Sequence, residues 1–171
     1  MMTTTRFTVR FRRKKEGRTN YKKRLALLKS RKPRLIIRKT NTQIILQIAE
    51  YQPDGDKVIV TVQSRELLKN GWKHSFKNLP AAYLAGMLLA KKASQHKIKE
   101  AILDMGLTTP LKGTKIFAAL KGAVDAGLQI PVNETIFPTE ERLKGEHISS
   151  FLEKHKTITQ DFEKIKKEIK G

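Results

Sequence analysis

The sequence predicts an α/β protein: a mixed sheet built from an antiparallel three-strand meander followed by strand-helix-strand-helix crossovers, with a basic N-terminal arm and a helical C-terminal extension. Three observations predict it. Apolar side chains alternate with period two between residues 34 and 63; beyond residue 78 their period becomes helical; and cations crowd the first 39 residues.

The arm comes first in the chain. Met1 to Lys39 hold sixteen Lys and Arg against one acid, Glu16, a net +15 of the +20 carried by all 171 residues, whereas residues 40–171 hold 20 Lys and Arg against 15 acids. Concentrated charge repels itself, and a polyanionic partner relieves that repulsion. A solvated tail is the alternative, but solubility alone is served as well by spread charge. Nucleic acid is the leading partner and an anionic membrane surface the second. Phe7, Phe11 and Tyr21 interleave with the cations of "FRRKKEGRTNYKKR", which suits RNA: cations neutralise phosphates and planar groups stack on unpaired bases. So few apolar residues leave residues 3–18 expected to order only on the partner.

Next, "TNYKKRLALLKS" places Tyr21, Leu25 and Leu28 at i, i+4 and i+7 behind Thr19 or Asn20 as a cap, which predicts a short helix over 20–30 with Lys22, Lys23 and Arg24 facing outward. Pro33 ends the pattern. Strands are expected near 34–40, 43–50 and 56–63, because Ile44/Leu46/Ile48 and Val58/Val60/Val62 alternate and "TN" and "PDGD" supply turn chemistry. "NLPAAYLAGMLLAKKASQ" reads as a helix starting near Pro80 with Asn78 as cap, its small residues permitting close packing. "IKEAILDMG" follows as a short strand, "GTKIFAALKGAVDAG" as a helix with Thr114 at its start and Gly127 at C′, and "LQIP" as a last short strand. Crossover helices return the chain to parallel strands. In the extension, "ITQDFEKIKKEIK" sets Ile158, Phe162, Ile165 and Ile169 on one stripe expected to dock on the core or on a partner. The expected division is 1–32 for the arm and short helix, 33–131 for the α/β core and 132–171 for the extension.

Composition narrows the chemistry. There is no cysteine, so disulfides, thiolate metal sites and cysteine nucleophiles are excluded, and a reducing, intracellular setting is expected. No apolar run reaches the roughly 20 residues of a membrane span. His74, His96, His147 and His155 show no paired ligand spacing, so no metal site is expected. A carboxylate nuclease needs acids on central strands, yet "RLIIRKT" has none, and Asp104 ends its strand as an expected cap or turn residue. "LKGTKIF" lacks the GxxxxGK[ST] spacing of a phosphate loop and reads as helix initiation. By contrast, "KPRLIIRKTNTQ" crowds Arg34, Arg38 and Lys39 beside Thr40, Asn41, Thr42 and Gln43, the donor types that grip phosphate and sugar.

Six blocks in order, "FRRKKEGRTNYKKRL", "KPRLIIRKTNTQIILQI", "NLPAAYLAGMLLAKKA", "EAILDMGL", "KIFAALKGAVDAGLQIP" and "FPTEERLKGEHI", resemble the universal large-subunit ribosomal protein eighteen family in its archaeal and eukaryotic form, over residues 7–148. The resemblance implies a structural, non-enzymatic protein of the cytoplasmic ribosome, without cofactor, that attaches 5S rRNA to the large subunit in the central protuberance and contacts large-subunit rRNA and neighbouring ribosomal proteins. The family's basic motif maps onto Arg12, Arg13, Lys14, Lys15, Arg18, Tyr21, Lys22, Lys23 and Arg24. Its hairpin motif maps onto Arg34, Arg38, Lys39, Thr40, Asn41 and Gln47. Arg10 and Gln43 complete the candidate RNA-binding set, and the tail after Ile148 lies outside the resemblance. An RNA-processing enzyme or a generic basic nucleic-acid-binding protein are the competing readings.

Overall fold

The structure is a computed structural model that describes residues 9–170. Its elements run α1 (Arg12–Lys15), α2 (Tyr21–Leu28), β1 (Arg34–Lys39), β2 (Ile44–Glu50), β3 (Lys57–Gln63), a 3₁₀ segment (Ser64–Asn70), α3 (Leu79–Gln95), β4 (Ile102–Asp104), α4 (Lys115–Asp125), α5 (Glu140–Lys144), α6 (Glu146–Ser149) and α7 (Ile158–Lys170). The sheet order is β3-β2-β1-β4, with β1–β2 and β2–β3 antiparallel and β4 parallel to β1. The meander and the crossover thus form one mixed sheet, as the alternation and turn residues predict.

Local chemistry explains the boundaries. Thr40 closes the first hairpin: its N–H donates to the Gln43 carbonyl at 2.8 Å, and its Oγ1 accepts from Gln43 N–H at 3.0 Å. Asn78 caps α3 by accepting from Ala81 N–H at 2.9 Å, with Pro80 in the first turn where a missing N–H costs nothing. Asn20 caps α2 by accepting from Lys23 N–H at 3.1 Å. Gly127, at φ +99°, leaves α4 in the left-handed region as expected of C′.

Two expectations shift. "LQIP" makes only an isolated parallel bridge, Gln129 to Glu100, and adds no fifth strand; Pro131 offers no N–H to carry a ladder further. On α2, Leu25 is 59% exposed while Arg24 turns inward to pair with Asp56 at 2.9 Å.

Leu35, Ile37, Leu46, Ile48, Val60 and Val62 point from one sheet face into a core closed by α3 and α4. Those helices touch backbone to backbone: a Cβ on Gly86 would collide with the Ala119 carbonyl, and one on Gly122 with the Tyr83 carbonyl. Tyr83 also donates its hydroxyl to Asp125 at 2.9 Å across the same pair. The stripe Ile158, Phe162, Ile165 and Ile169 is buried in the same core, at about 1.5–3 kcal/mol per side chain relative to exposure. Buried His74 pins this end, contacting His155 Nδ1 at 2.8 Å and Asp161 Oδ2 at 2.9 Å. It is therefore a satisfied core histidine.

Candidate nucleic-acid interface

Side chains alternate across a strand, so the residues between the core positions line the opposite sheet face. There the register sets Ile36 beside Gln47 and Gln47 beside Thr61, with Arg38 beside Ile45 and Ile45 beside Gln63. No helix of the core covers this row. Instead the arm and α2 stand over its β1–β4 edge and enclose a cavity of ≈ 470 Å³ lined by Arg13, Arg18, Lys23, Arg24, Arg34 and Arg38, with Asp56 and Asp104 at its base.

The two acids organise the cations. Arg24 Nη2 donates to both Asp56 oxygens at 2.9 Å, and Arg34 reaches Asp56 from the other side. Asp104 accepts from Arg34 Nη1 at 3.0 Å, from Arg38 Nη2 at 3.1 Å and from Gly106 N–H at 2.8 Å. Arg38 also donates to the Asp104 carbonyl at 2.7 Å, and Gly106, at φ +61°, leaves room for its guanidinium, which any Cβ there would crowd. Asp104 is the turn residue expected from its sequence position, but it does not stand alone. Both of its carboxylate oxygens accept from guanidinium or amide groups, as in an ion-pair network. Among the described residues, no group of His, Asp and Glu is arranged to hold a metal ion.

Candidate residues fall into four sets. Arg34 is 2% exposed, so the structure places it inside the protein, holding Asp56 and Asp104. Arg24 is half-buried on Asp56. On the accessible side, α1 is one exposed turn held by three contacts: Glu16 accepts from Arg12 at 2.8 Å and pairs with Arg18 at 3.2 Å, and the Phe11 and Tyr21 rings lie 5.3 Å apart. Arg13 donates to Thr19 Oγ1 at 2.9 Å. Arg10, Lys14, Lys15, Lys22 and Lys23 are exposed, and no carboxylate among the described residues pairs with them. Phe7 lies outside the described residues. On the open face, Arg38 is 43% exposed at its side chain, Gln47 donates to Thr61 Oγ1 at 3.3 Å, and Gln43 donates to Gln63 Oε1 at 3.2 Å.

Lys39, Thr40 and Asn41 go elsewhere. Arg38 and Lys39 are neighbours in sequence, so they leave β1 on opposite faces, and Lys39 belongs to a second cavity of ≈ 470 Å³ on the helix side, together with Lys77, Lys115 and Arg142. Those last three residues escape sequence reading because each comes from a different segment. Asp56 escapes it because an Asp in "PDGD" already has a sufficient role as a turn residue. Among the described residues, no helix is long and apolar enough to cross a membrane.

Comparison with known proteins agrees with the geometry. A family model described as "Ribosomal large subunit proteins 60S L5, and 50S L18" matches residues 5–99 and 91–133. The chain is 52% identical over 149 residues to the large ribosomal subunit protein uL18 of Korarchaeum cryptofilum (strain OPF8), an alignment covering 87% of this chain and 76% of that protein.

Proposed function

The chain belongs to this family of large-subunit ribosomal proteins, and on that premise we propose that it is a structural constituent of the cytoplasmic large subunit that binds 5S rRNA and joins it to large-subunit rRNA in the central protuberance, beside neighbouring ribosomal proteins. The observation that carries the reading is the cleft itself. Its two acids are taken by Arg24, Arg34 and Arg38, so Arg13 and Lys23 line it with no carboxylate partner among the described residues, beside an open sheet face of amides, hydroxyls and apolar groups. In this reading Arg10, Arg12, Arg13, Lys14, Lys15, Arg18, Lys22 and Lys23 neutralise phosphates, Arg38, Gln43 and Gln47 contact sugar or base edges, and Tyr21 offers a ring for stacking. Arg24 and Arg34 act indirectly, by shaping the cleft. The function is non-enzymatic, and an Asp104 carboxylate shared between Arg34 and Arg38 fits a clamp better than a hydrolase.

The test is a competition between labelled 5S rRNA and unlabelled tRNA or a duplex of equal length. Resistance to both competitors supports the proposal; equal displacement by either leaves a generic basic binder. A truncated chain beginning at Lys32 should keep its circular dichroism and lose most 5S rRNA affinity, and undiminished affinity would sink the role given to the arm. Affinity should also decline with salt by about 0.7–0.9 in log K per log[salt] for each neutralised phosphate.

A further inference from the structure

The second cavity has a composition that folding does not explain. Lys39 enters from the end of β1, Lys77 from the loop before α3, Lys115 from the first turn of α4 and Arg142 from α5, while Thr40, Asn41 and Thr114 add hydroxyl and amide groups. Among the described residues that line it, none is acidic. Cations drawn together from four segments repel one another, and Lys115 stands at the start of a helix, where the dipole favours an anion. The Lys115 ammonium is accordingly held below its ordinary range, by burial and then by the charges of Lys77 and Lys39. Thr114, at the N-cap of α4, makes no side-chain cap bond, so the first amides of this eleven-residue helix are not used by the cap. Each local choice here works against stability, a pattern expected where a ligand supplies what the fold lacks.

We propose that this cavity is a second RNA site, which holds a backbone phosphate between Lys39, Lys77, Lys115 and Arg142 and is separated from the arm cleft by the loop 105–114. The loop forms the partition: Met105, Gly106 and Pro110 line the cleft, Leu111 and Gly113 the second cavity, and Thr108 both. Alternation along β1 then has a functional consequence, because Arg38 and Lys39 address the two sites from one hairpin. The inference rests on the reading that this chain works against RNA, and it is tested separately from 5S rRNA specificity.

The experiment follows backbone amide resonances of the full chain during titration with a short single-stranded oligouridine and, in parallel, with inorganic phosphate. Oligouridine should shift the amides of Gly113, Lys115, Ile116 and Phe117, and should still do so when Arg13, Arg18 and Lys23 are all changed to Gln. Lys77→Gln and Lys115→Gln should each lower oligouridine affinity several-fold and reduce the salt slope by about 0.7. Lys115→Gln should leave the melting temperature unchanged or raised, since it removes a repelled charge. Silent α4 amides beside shifting arm amides would overturn the second site while leaving the 5S rRNA reading intact. Shifts from inorganic phosphate alone would overturn the RNA assignment in favour of a small-anion site, and a lowered melting temperature with unchanged affinity would make Lys115 structural.

Discussion

Arg34 Nη1 donates to Asp104 Oδ2 at 3.0 Å with the arginine side chain 2% exposed, tying β1 to β4 beneath the arm. Two arginines share this carboxylate, and Arg34 shares Asp56 with Arg24. The chain is so cationic that its few well-placed acids decide which cations stay inside and which remain free for a partner.

Removing Asp104 should therefore destabilise the fold rather than abolish a reaction. Loss of the carboxylate leaves buried Arg34 with Asp56 alone and its Nη1 unpaired, so Asp104→Ala should cost about 1–3 kcal/mol in urea unfolding at neutral pH. Native stability in that variant, with loss of a metal-dependent RNA cleavage, would favour the processing-enzyme reading instead.

Gly86 and Gly122 reverse the usual rule for glycine in a helix. Ala is ordinarily better there by about 1 kcal/mol, but here a Cβ meets the backbone of the facing helix. Gly86→Ala and Gly122→Ala should each destabilise by about 1–3 kcal/mol, the usual cost of overpacking. A raised melting temperature in either variant would contradict the close approach of α3 and α4.

Glu66 should contribute an acid-sensitive increment. Burial opposes its ionised form, but Lys92 Nζ at 2.7 Å and Gln63 N–H at 2.9 Å outweigh burial and hold the carboxyl below its ordinary range. A carboxylate with a depressed folded-state value stabilises fully above its unfolded value of about 4.3 and loses that contribution as pH falls through the folded value. Exposure limits the increment to under about 1 kcal/mol. Glu66→Gln should flatten the acid limb of a stability-versus-pH curve; an unchanged limb would remove Glu66 from the account.

Amide exchange should divide the arm from α2. The turn α1 has four residues and none buried, too few to hold a helix by itself. Residues 3–18, of which those before Val9 lie outside the described part, should exchange fast in the free protein and slow on 5S rRNA. Equal protection in both states would show the arm ordered beforehand.

Much of the fold was legible because its signals are local. Strands 34–39, 44–50 and 57–63 follow from alternation between turn residues, α3 and α4 from their caps, and the α7 stripe from its spacing. The basic arm was legible from charge. Less so was α2, where Tyr21 and Leu28 are half-buried as their spacing suggests but Leu25 is exposed and Arg24 turns inward to Asp56.

By itself, the sequence determined the mixed α/β architecture, the position of the basic arm and the family, since alternation, capping and ordered motifs are carried by neighbouring residues. Only the tertiary structure decided what each cation does. Arg34 is spent inside on Asp56 and Asp104, Arg38 half-opens to the cleft, and Lys39 leaves by the opposite face to meet Lys77, Lys115 and Arg142. The physical reason is that an ion pair depends on distance through space. Acids such as Asp56 and Asp104, far from their arginines in sequence, sort the cations only once the sheet has formed.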